Sequence, residues 1–418
     1  MFRKKQPEVV VAGAGPVGMF LALRLAEAGI RVEMVDEAWN RGARSYALAL
    51  HPGSLALLDG VGLAGEVLKA GHRIDAVAIY DRRRRRAELS FAGLAGEFPF
   101  ALVLPQSTFE RTLERRLARA GVRVRWNHRV ARLEPGDDRV QVAIERMAKD
   151  STGYGVATTE WVVDKELTLT PAFVVGTDGH RSAVRRELGA DFDLRGEAQR
   201  FAVFEFNCDE EPWREVRVVF DEGTDSVVWP LGDGRFRASF EIGEETAGAA
   251  PRRKDRLAVQ IGDSAFPLLG ERELEDLMEE RAPWFDAELG EIFWSVAVRF
   301  ERRIAEPFGR GRVWLAGDAG HLAAPIGVHS MNVGLREAGD LAARISGVLR
   351  RGESLEILAA YGEERRREWR QLLGFDGHPT PAGAERWVAA RAERLLRAVP
   401  ASGADLRQLL AQVGIELA

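Results

Sequence analysis

The chain has 418 residues, too many for one small hydrophobic core, so we expect about two or three domains. Apolar residues make up 46% of it and charged residues 29%, which is typical of a folded globular protein and not of a disordered one. Lys and Arg number 59 against 64 Asp and Glu, a formal net charge of −5, which argues against nucleic acid or an anionic membrane as the main partner.

Cysteine usage and hydropathy narrow the class of protein further. Cys208 is the single cysteine, so neither an internal disulfide nor a thiolate metal site is predicted. A reducing, cytoplasmic location fits that usage. An apolar run that follows Arg3 resembles a signal peptide, but three glycines and a proline interrupt it. No stretch of about 18 uninterrupted apolar residues occurs, so we predict no membrane span.

The beginning of the chain predicts a strand, a glycine-rich loop, a helix and a second strand. The predicted bounds are strand 8–12, helix 19–28 and strand 30–35. Between the first two lies the pattern Gly13-x-Gly15-x-x-Gly18. Gly13 permits the tight turn, Gly15 lets the backbone approach a pyrophosphate, and Gly18 allows close packing of helix on strand. The helix start adds free N–H groups and a positive dipole end, and both favour phosphate.

Asp36 supports the same interpretation. It follows the second strand and lies 23 positions after Gly13 (36 − 13), close to the spacing of a carboxylate that binds ribose hydroxyls. Glycines in this pattern also serve ordinary turns, so the alternative is a purely structural loop. Because strand, loop, helix, strand and acid occur in order, we predict a dinucleotide-binding site.

The elements that follow are predicted from periodicity and turn residues. In chain order they are hairpin 76–91 with five arginines at its bend, a strand to 104, helix 107–120, a hairpin of strands 140–147 and 160–169, strand 172–176, strands 201–206, 216–220, 226–230 and 236–242, helix 254–280 broken near Pro267, strand 292–300, strand 313–316 and helix 331–349. The strands between 201 and 242 alternate apolar and polar residues, which indicates a separate antiparallel sheet. We interpret the arginine-rich bend as a solvated turn.

Two further motifs follow predicted strand ends. Asp178-Gly179 comes directly after strand 172–176, and 317–321, which begins Gly317-Asp318, follows strand 313–316. Ligands of open α/β sheets bind at the carboxyl ends of strands. Together with the glycine loop and Pro325, these motifs resemble the single-component flavoprotein aromatic hydroxylases, the para-hydroxybenzoate hydroxylase-like FAD-dependent monooxygenases. The resemblance covers about residues 8–350.

The resemblance implies an α/β fold with a Rossmann-like FAD-binding domain, an inserted antiparallel β-sheet substrate domain and a C-terminal helical segment. We predict that the FAD-binding domain comprises residues 1–75, 99–192 and 299–375. The substrate domain would comprise hairpin 76–98 and residues 193–298, and the C-terminal segment residues 376–418. Two alternatives are open for that last segment, a cap on the core or a contact of a homodimer.

The resemblance also implies a cofactor site and a transient co-substrate. The implied FAD contacts are Gly13, Gly15, Gly18, Asp36, Arg44, Gln106, Asp178, Gly179, Gly317, Asp318, Gly327, Met331 and Asn332. In the family, the first four positions hold the ADP part, Asp178 is linked to both FAD and NAD(P)H, and Asp318 contacts the ribityl or ribose part. No second glycine-rich nucleotide motif occurs for NAD(P)H, which is compatible with its transient binding in the family.

Pro325 and His329 are the candidate catalytic residues. The resemblance places Pro325 beside the isoalloxazine ring, near the site of oxygen reaction. Family members commonly have Gly-Gly-Gln-Gly-Met-Asn or a similar run after this proline, whereas residues 327–332 read Gly-Val-His-Ser-Met-Asn. His329 is either an acid or base, since its unperturbed pKa is near neutrality, or a packing and hydrogen-bonding residue. His321 is interpreted as a structural hydrogen-bond donor, and no metal site is predicted.

The implied reaction is oxygen transfer to an aromatic ring. NAD(P)H reduces FAD, reduced FAD and oxygen form a C4a-hydroperoxide, and one oxygen atom passes to a phenolic substrate. The sheet of residues 200–245 is the candidate substrate roof, with Phe204, Phe206, Val228, Trp229 and Phe240 as candidate lining residues, of which alternation lets about half face inward. Their apolar character slightly favours a polycyclic or prenylated aromatic.

Other functions are compatible with the flavin motifs. A reductase or a halogenase-like enzyme of the same architecture is one alternative, although the Trp-x-Trp-x-Ile-Pro stretch of halogenases does not occur in the sequence. A flavin-binding protein without turnover is the other, because the run at 327–332 departs from the family pattern.

Overall fold

The strands of this computed structural model, which describes residues 6–39, 48–152, 158–211, 213–243, 259–261, 264–266, 269–376 and 379–417, form several sheets. They are β1 (Val9–Ala12), β2 (Val32–Val35), β3 (Ala49–Leu50), β4 (His72–Ile74), β5 (Ala76–Asp81), β6 (Arg84–Ser90), β7 (Ala101–Val103), β8 (Val124–Arg125), β9 (His128–Pro135), β10 (Val140–Thr152), β11 (Thr158–Leu169), β12 (Phe173–Gly176), β13 (Asp191–Leu194), β14 (Gln199–Cys208), β15 (Glu215–Phe220), β16 (Asp225–Gly232), β17 (Arg235–Ile242), β18 (Val259–Ile261), β19 (Ser264–Phe266), β20 (Leu289–Phe300), β21 (Arg303–Glu306), β22 (Gly309–Arg310), β23 (Val313–Leu315), β24 (His321–Leu322), β25 (Thr380–Pro381) and β26 (Ile415–Glu416).

The helices alternate with strands in the first part of the chain and dominate its last part. They are α1 (Pro16–Glu27), α2 (Pro52–Asp59), α3 (Ala64–Ala70), α4 (Gln106–Arg119), α5 (Ala183–Leu188), α6 (Glu271–Arg281), α7 (His329–Ser346), α8 (Glu356–Leu373), α9 (Arg386–Ala389), α10 (Ala392–Ala398) and α11 (Gly403–Ala411). A π-helical turn at Gly347–Arg351 extends α7. Of the helices that the described residues form, none combines the length and the apolar character that a membrane crossing requires.

A six-stranded sheet forms the first layer, in the order β22-β23-β12-β1-β2-β8. Its pairs are parallel except β22 with β23. The valines of β1 are fully buried, as a parallel strand covered on both faces requires. Because β1, β12 and β23 are parallel neighbours, the three segments that follow them lie side by side at one edge of the sheet.

A seven-stranded sheet forms the second layer, in the order β20-β14-β17-β16-β15-β5-β6. Its pairs are antiparallel except β15 with β5, so the predicted inserted antiparallel sheet is confirmed with one parallel pair. One face packs on α6 through Leu274 and Met278. The other face shares a core cluster with Ile326, Val328 and the C-terminal helices.

The prediction of helix 254–280 is wrong for residues 259–261 and 264–266. These form β18 and β19, which pair antiparallel, and α6 begins at Glu271. Val259 and Ile261 lie at positions i and i+2, which is strand spacing, before a Gly-Asp pair in the sequence that favours a turn. The helix expected from Ser107 begins one residue earlier, at Gln106.

The C-terminal segment packs on the core that α7 and α8 share with the seven-stranded sheet. Buried residues of α10 and α11, among them Leu395, Leu396 and Leu409, belong to the cluster that contains the seven-stranded sheet. Arg394 in α10 binds the turn between β15 and β16, donating to Asp225 Oδ1 over 2.6 Å and to the Asp221 carbonyl oxygen over 2.9 Å. This segment therefore joins α8 to the seven-stranded sheet.

Candidate functional site

The three predicted motifs meet at the carboxyl edge of the six-stranded sheet. Thr177, which follows β12, donates from its backbone N to the Ala12 carbonyl oxygen over 2.7 Å and from Oγ1 to the Gly13 carbonyl oxygen over 3.0 Å. Ala316, which follows β23, donates to the Gly176 carbonyl oxygen over 3.0 Å. Hydrogen bonds thus join the strand ends from which the motifs begin.

The glycines of the first motif serve two different purposes. Gly13 has φ +101°, and a Cβ there would lie 2.2 Å from the Thr177 carbonyl oxygen. A Cβ on Gly18 would lie 2.1 Å from the Gly13 carbonyl oxygen. Both glycines are therefore required by packing within the protein. A Cβ on Gly15 would meet no atom within 4 Å, so this residue borders open space.

The N-terminus of α1 faces that opening. Its N-cap is Gly15, and no side chain forms a hydrogen bond at this cap. The first turn of α1, all of which the structure describes, contains no acidic residue. Backbone N–H groups at a helix start have no partner inside the helix and carry the positive end of the helix dipole. This arrangement suits an anion such as a pyrophosphate.

Asp36 lies on the wall of a cleft next to the glycine loop. Its Oδ2 accepts from the Ala14 backbone N over 2.6 Å, and its Oδ1 accepts from the Ala38 backbone N over 2.8 Å. Burial raises the pKa of this carboxyl, and the two backbone hydrogen bonds oppose the increase. The cleft has a volume of about 590 Å³ and is also lined by Gly15 and Asp178.

Asp178 uses its carboxylate to start α5. Its Oδ2 accepts from the backbone N atoms of Ala183 and Val184, over 2.7 and 3.1 Å, and its Oδ1 accepts from Ser182 Oγ over 2.5 Å. Burial raises its pKa against these hydrogen bonds. Gly179 follows with φ +74°. The position that the resemblance linked to nucleotide binding thus also shapes its own loop.

Arg185 connects this loop to the third motif. It is 7% exposed and donates from Nη1 to the Ala319 carbonyl oxygen over 2.9 Å and from Nη2 to the His180 carbonyl oxygen over 2.7 Å. In the third motif, Gly317 has φ +64° and the side chain of Asp318 is exposed. An exposed carboxylate at this edge is free to meet a polar ligand.

The run from Pro325 to Asn332 begins α7. Pro325 is half-buried, and its carbonyl oxygen accepts from the Val328 backbone N over 3.3 Å, which closes a turn. Val328 is the N-cap, with φ +51° and ψ +38°, and Met331 is buried in the first turn. Gly327 fits tightly, because a Cβ there would lie 2.4 Å from the Arg397 carbonyl oxygen.

Asn332, a predicted cofactor contact, is fully engaged by the protein. Its Oδ1 accepts from the His51 backbone N and from Ser54 Oγ, each over 2.8 Å. Its Nδ2 donates to the carbonyl oxygens of Ala49 and Val328, each over 2.8 Å. The side chain is 1% exposed, so it holds α2 against the start of α7.

His329 is 3% exposed and lies against the C-terminal segment. Its ring is perpendicular to that of His51, with 5.6 Å between centroids. Burial lowers the pKa of His329 to about 4, and the carbonyl groups of Arg397 and Leu396 oppose the decrease without meeting hydrogen-bond geometry. The imidazole is therefore neutral at physiological pH. Its proposed role as an acid or base stays a prediction.

Two cofactor candidates remain, Gln106 and Arg44. Gln106 is half-buried at the start of α4 and donates to Glu110 Oε1 over 2.7 Å. Arg44 lies outside the described residues.

The candidate substrate residues lie on two faces of the seven-stranded sheet. Phe204, Phe206, Val228 and Phe240 are fully buried and pack in the cluster with α6, so the structure does not bring them to Pro325. Trp229 is 1% exposed and lies in the cluster that contains Ile326 and Val328. We call this side the Trp229 face.

Sequence reasoning missed the other residues of the Trp229 face. Phe201 and Val203 share the Trp229 cluster, and alternation places Glu205 on their side of β14. Glu205 and Arg237 are directly opposite in β14 and β17 and form a buried ion pair, with 2.9 Å from Arg237 Nε to Glu205 Oε1. Charged residues inside two predicted strands were the available signal in the sequence. Such residues are seldom buried without a partner, so their presence indicates an ion pair.

The comparisons with known proteins give the family. A family model described as an FAD binding domain matches residues 6–376. The chain belongs to this family. The match ends before the C-terminal segment, so α9, α10 and α11 lie outside it.

Named relatives of this FAD-binding chain are monooxygenases. It is 30% identical over 364 residues to 6-methylpretetramide 4-monooxygenase of Streptomyces rimosus, with 86% of this chain and 59% of that protein covered. It is 27% identical over 391 residues to para-nitrophenol 4-monooxygenase of Pseudomonas sp. strain WBC-3, with 91% and 87% covered. The chain thus spans 59% of the length of the Streptomyces protein, and 63% and 65% of the length of two further curated relatives.

The fold is similar to that of a solved aromatic hydroxylase. The crystal structure of p-nitrophenol 4-monooxygenase from Pseudomonas putida DLL-E4 has a TM-score of 0.71 and 22% sequence identity, and covers 99% of this chain and 94% of that one. The α/β fold expected for the family, with its sheets and C-terminal helical segment, is thereby confirmed.

The residues at the carboxyl edge fit FAD. Gly15 opens to space where its neighbours Gly13 and Gly18 are closed in by packing. The uncapped start of α1 supplies donors for a pyrophosphate, and the adjacent cleft of about 590 Å³ has room for the ADP part. FAD is the cofactor of this family. The assignment of its ADP part to Gly13, Gly15, Gly18 and Asp36 stays a prediction.

Proposed function

We propose that the protein is an FAD-dependent monooxygenase that hydroxylates an aromatic, phenolic substrate with NAD(P)H as reductant. The observation that carries the proposal is the convergence of three motifs at one sheet edge, next to a loop at Pro325 that shares its core with the Trp229 face. The monooxygenase names of the relatives support the same reaction.

FAD, when bound, takes two electrons from NAD(P)H and activates oxygen, and the protein supplies binding, orientation and exclusion of water. One oxygen atom of O2 enters the ring C–H bond and the other leaves as water, with NAD(P)H and a proton consumed. We assign pyrophosphate binding to the start of α1 and Gly15, ribose binding to Asp36, and the ribityl contact to Asp318. Pro325 and the backbone at Gly327 would border the flavin ring.

The Trp229 face is our candidate substrate roof. Trp229, Phe201 and Val203 offer flat and apolar contacts that suit an aromatic ring. The ion pair of Arg237 and Glu205 is the polar feature that we assign to a phenolic oxygen of the substrate. These contacts favour a substrate with an extended apolar body and an acidic hydroxyl. We also propose the domain limits predicted from the sequence.

The experiment is a visible spectrum of the purified protein under anaerobic conditions, before and after NADPH, with and without a panel of phenols. A flavin band that bleaches faster with one phenol, followed by incorporation of labelled oxygen from O2 into that phenol, is the expected result. A product that forms without oxygen would instead indicate a reductase. Bound flavin that neither NADPH nor NADH bleaches would indicate a protein without turnover.

A further inference from the structure

A buried carboxylate behind the third motif has no role in the assignments above. Glu337, on the third turn of α7, is fully buried. Its Oε2 accepts from the Gly317 backbone N over 2.9 Å and bonds His321 Nε2 over 2.9 Å. Its Oε1 accepts from Trp369 Nε1 over 2.6 Å. One side chain of α7 therefore joins the loop of residues 317–321 to α8.

The two contacts on Oε2 come from the two ends of the same loop. Gly317 begins the loop, His321 ends it, and Asp318 lies between them with its side chain exposed. A single oxygen atom thus closes a five-residue loop that contains the candidate ribityl contact. The pairing also fixes the Gly317 amide while this residue has φ +64°.

The carboxylate is charged in this setting. Burial raises the pKa of Glu337, but the neighbouring His321 and the hydrogen bonds from His321, Gly317 and Trp369 outweigh burial and bring the pKa below its ordinary value. A buried anion is tolerated only with such a complete set of donors. Trp369 also covers the His321 ring, with centroids 3.7 Å apart and 19° between planes, so His321 is held in place to donate.

We propose that Glu337 is a positioning residue of the flavin site, which sets the conformation of the Gly317–Asp318 backbone by binding both ends of its loop. It acts through Asp318 and the loop amides and does not touch the flavin. The inference rests on FAD binding by the family and not on the proposed hydroxylation of an aromatic substrate.

The test separates this role from general stability. Glu337→Gln keeps the shape of the side chain but replaces one acceptor oxygen with a donor, so an N–H of Gly317, His321 or Trp369 faces an NH2 group. Trp369→Phe removes the donor to Oε1, keeps a smaller aromatic ring against His321 and leaves both loop contacts on Oε2. Each variant loses a buried hydrogen bond, so both are expected to lower the free energy of unfolding of the apoprotein.

Affinity for FAD distinguishes the two variants. The dissociation constant, measured by reconstitution of apoprotein with FAD, is expected to rise at least about tenfold in Glu337→Gln and to stay within about twofold in Trp369→Phe. The visible circular dichroism of the bound flavin should change in the first variant alone. Folded Glu337→Gln with unchanged FAD affinity and flavin dichroism would overturn the proposal, as would equal losses of affinity in both variants.

A second pair of variants tests the same loop from its other end. His321→Gln places an amide donor where Nε2 lies, whereas His321→Phe keeps a flat ring against Trp369 without any donor. FAD affinity close to that of the unmodified protein in the Gln variant, with a clear loss in the Phe variant, is the expected result. Equal affinities in the two would contradict the proposal, even where Glu337→Gln does not fold.

Discussion

Val328 holds a backbone conformation that its own side chain disfavours. Its φ of +51° and ψ of +38° lie in the left-handed region, which is rare for a β-branched residue, and its side chain is 8% exposed in the core. Such strain costs about 1–3 kcal/mol and persists where the surroundings impose it. Here the tight fit of Gly327 against the C-terminal segment and the hydrogen bonds of Asn332 impose it.

Replacement of Val328 tests this strain. Val328→Gly and Val328→Ala both remove the buried side chain, but glycine alone adopts the left-handed region freely. We expect the glycine variant to be more stable than the alanine variant by about 1 kcal/mol, measured as the free energy of unfolding in denaturant. At Val333, which is buried inside α7, the order should reverse, with glycine about 1 kcal/mol less stable than alanine. The same order at both positions would rule out strain at Val328.

His329 makes stability depend on pH. Its pKa falls from 6.5 to about 4 on folding, so between these values the unfolded chain binds a proton that the folded chain does not. The free energy of unfolding is therefore unaffected by this proton above pH 6.5. As the pH falls from 6.5 towards 4, it decreases by up to about 3 kcal/mol.

His329→Gln removes this titration and should flatten the dependence of the unfolding free energy on pH between 6.5 and 4. Burial also lowers the pKa of His51, so part of the slope remains in the variant. Identical slopes in the two proteins would show that His329 is charged or exposed in the folded state. A pH profile of activity near neutrality should not report His329.

At the scale of elements, the seven-stranded sheet presents two chemically different faces. Successive residues of a strand point to opposite sides, so Phe204 packs on α6 while Val203 shares the Trp229 face. Only the Trp229 face includes residues of the loop after Pro325 in its core. Substitutions on the two faces should therefore have different consequences for an aromatic substrate.

Trp229→Leu and Phe204→Leu form a matched pair of buried aromatic residues. Each should lower the free energy of unfolding by about 1–3 kcal/mol. We expect kcat/KM for the phenol that stimulates NADPH oxidation to fall about tenfold in Trp229→Leu and to stay within about twofold in Phe204→Leu. Initial rates over a range of phenol concentrations give the comparison. A tenfold fall in the Phe204 variant alone would place the substrate on the side of α6.

The sequence predicted the six-stranded layer better than the site beside it. Spacing around Gly13 and Asp36 is a local signal, and the strand, loop and helix occur there as expected. Alternation in the sequence divides the residues of β14 between two faces. It does not tell which face points to Pro325, because that depends on packing between layers. Glu337 was missed because its partners, Gly317 and Trp369, lie 20 and 32 positions away along the chain.

At the scale of the whole molecule, the C-terminal segment connects the seven-stranded sheet to the loop before α7. Arg394 of α10 binds Asp225 of the sheet, and both side chains are mostly buried, at 20% and 9% exposure. The carbonyl group of Arg397, one turn on, lies against Gly327, two residues before α7. Burial raises the pKa of Asp225, and Arg394 opposes that increase.

Arg394→Ala should lower the free energy of unfolding by about 2–4 kcal/mol at pH 8, since it leaves a buried carboxylate without its main partner. The loss should be smaller at pH 4, because Asp225 can then take up a proton in the folded state. Denaturant unfolding at the two pH values measures the difference. In an Asp225→Asn background the loss at pH 8 should shrink. A loss that is equal at both pH values would assign the effect to the carbonyl contacts of Arg394.

The strand order also determines when paired strands become available during translation. β1, which precedes the glycine loop, pairs with β12, whose Phe173 partner lies 164 positions after Val9 (173 − 9). At ribosomal speeds of about 5–20 residues per second, that partner emerges roughly ten to thirty seconds later. Leu315 of β23 completes the sheet edge, and Arg397, which covers Gly327, comes 82 positions after it (397 − 315). The nascent chain therefore passes through an interval in which this edge is complete while Gly327, which we assign to the flavin border, is not yet covered by Arg397. On that assignment, we expect FAD to reach the border most directly during this interval.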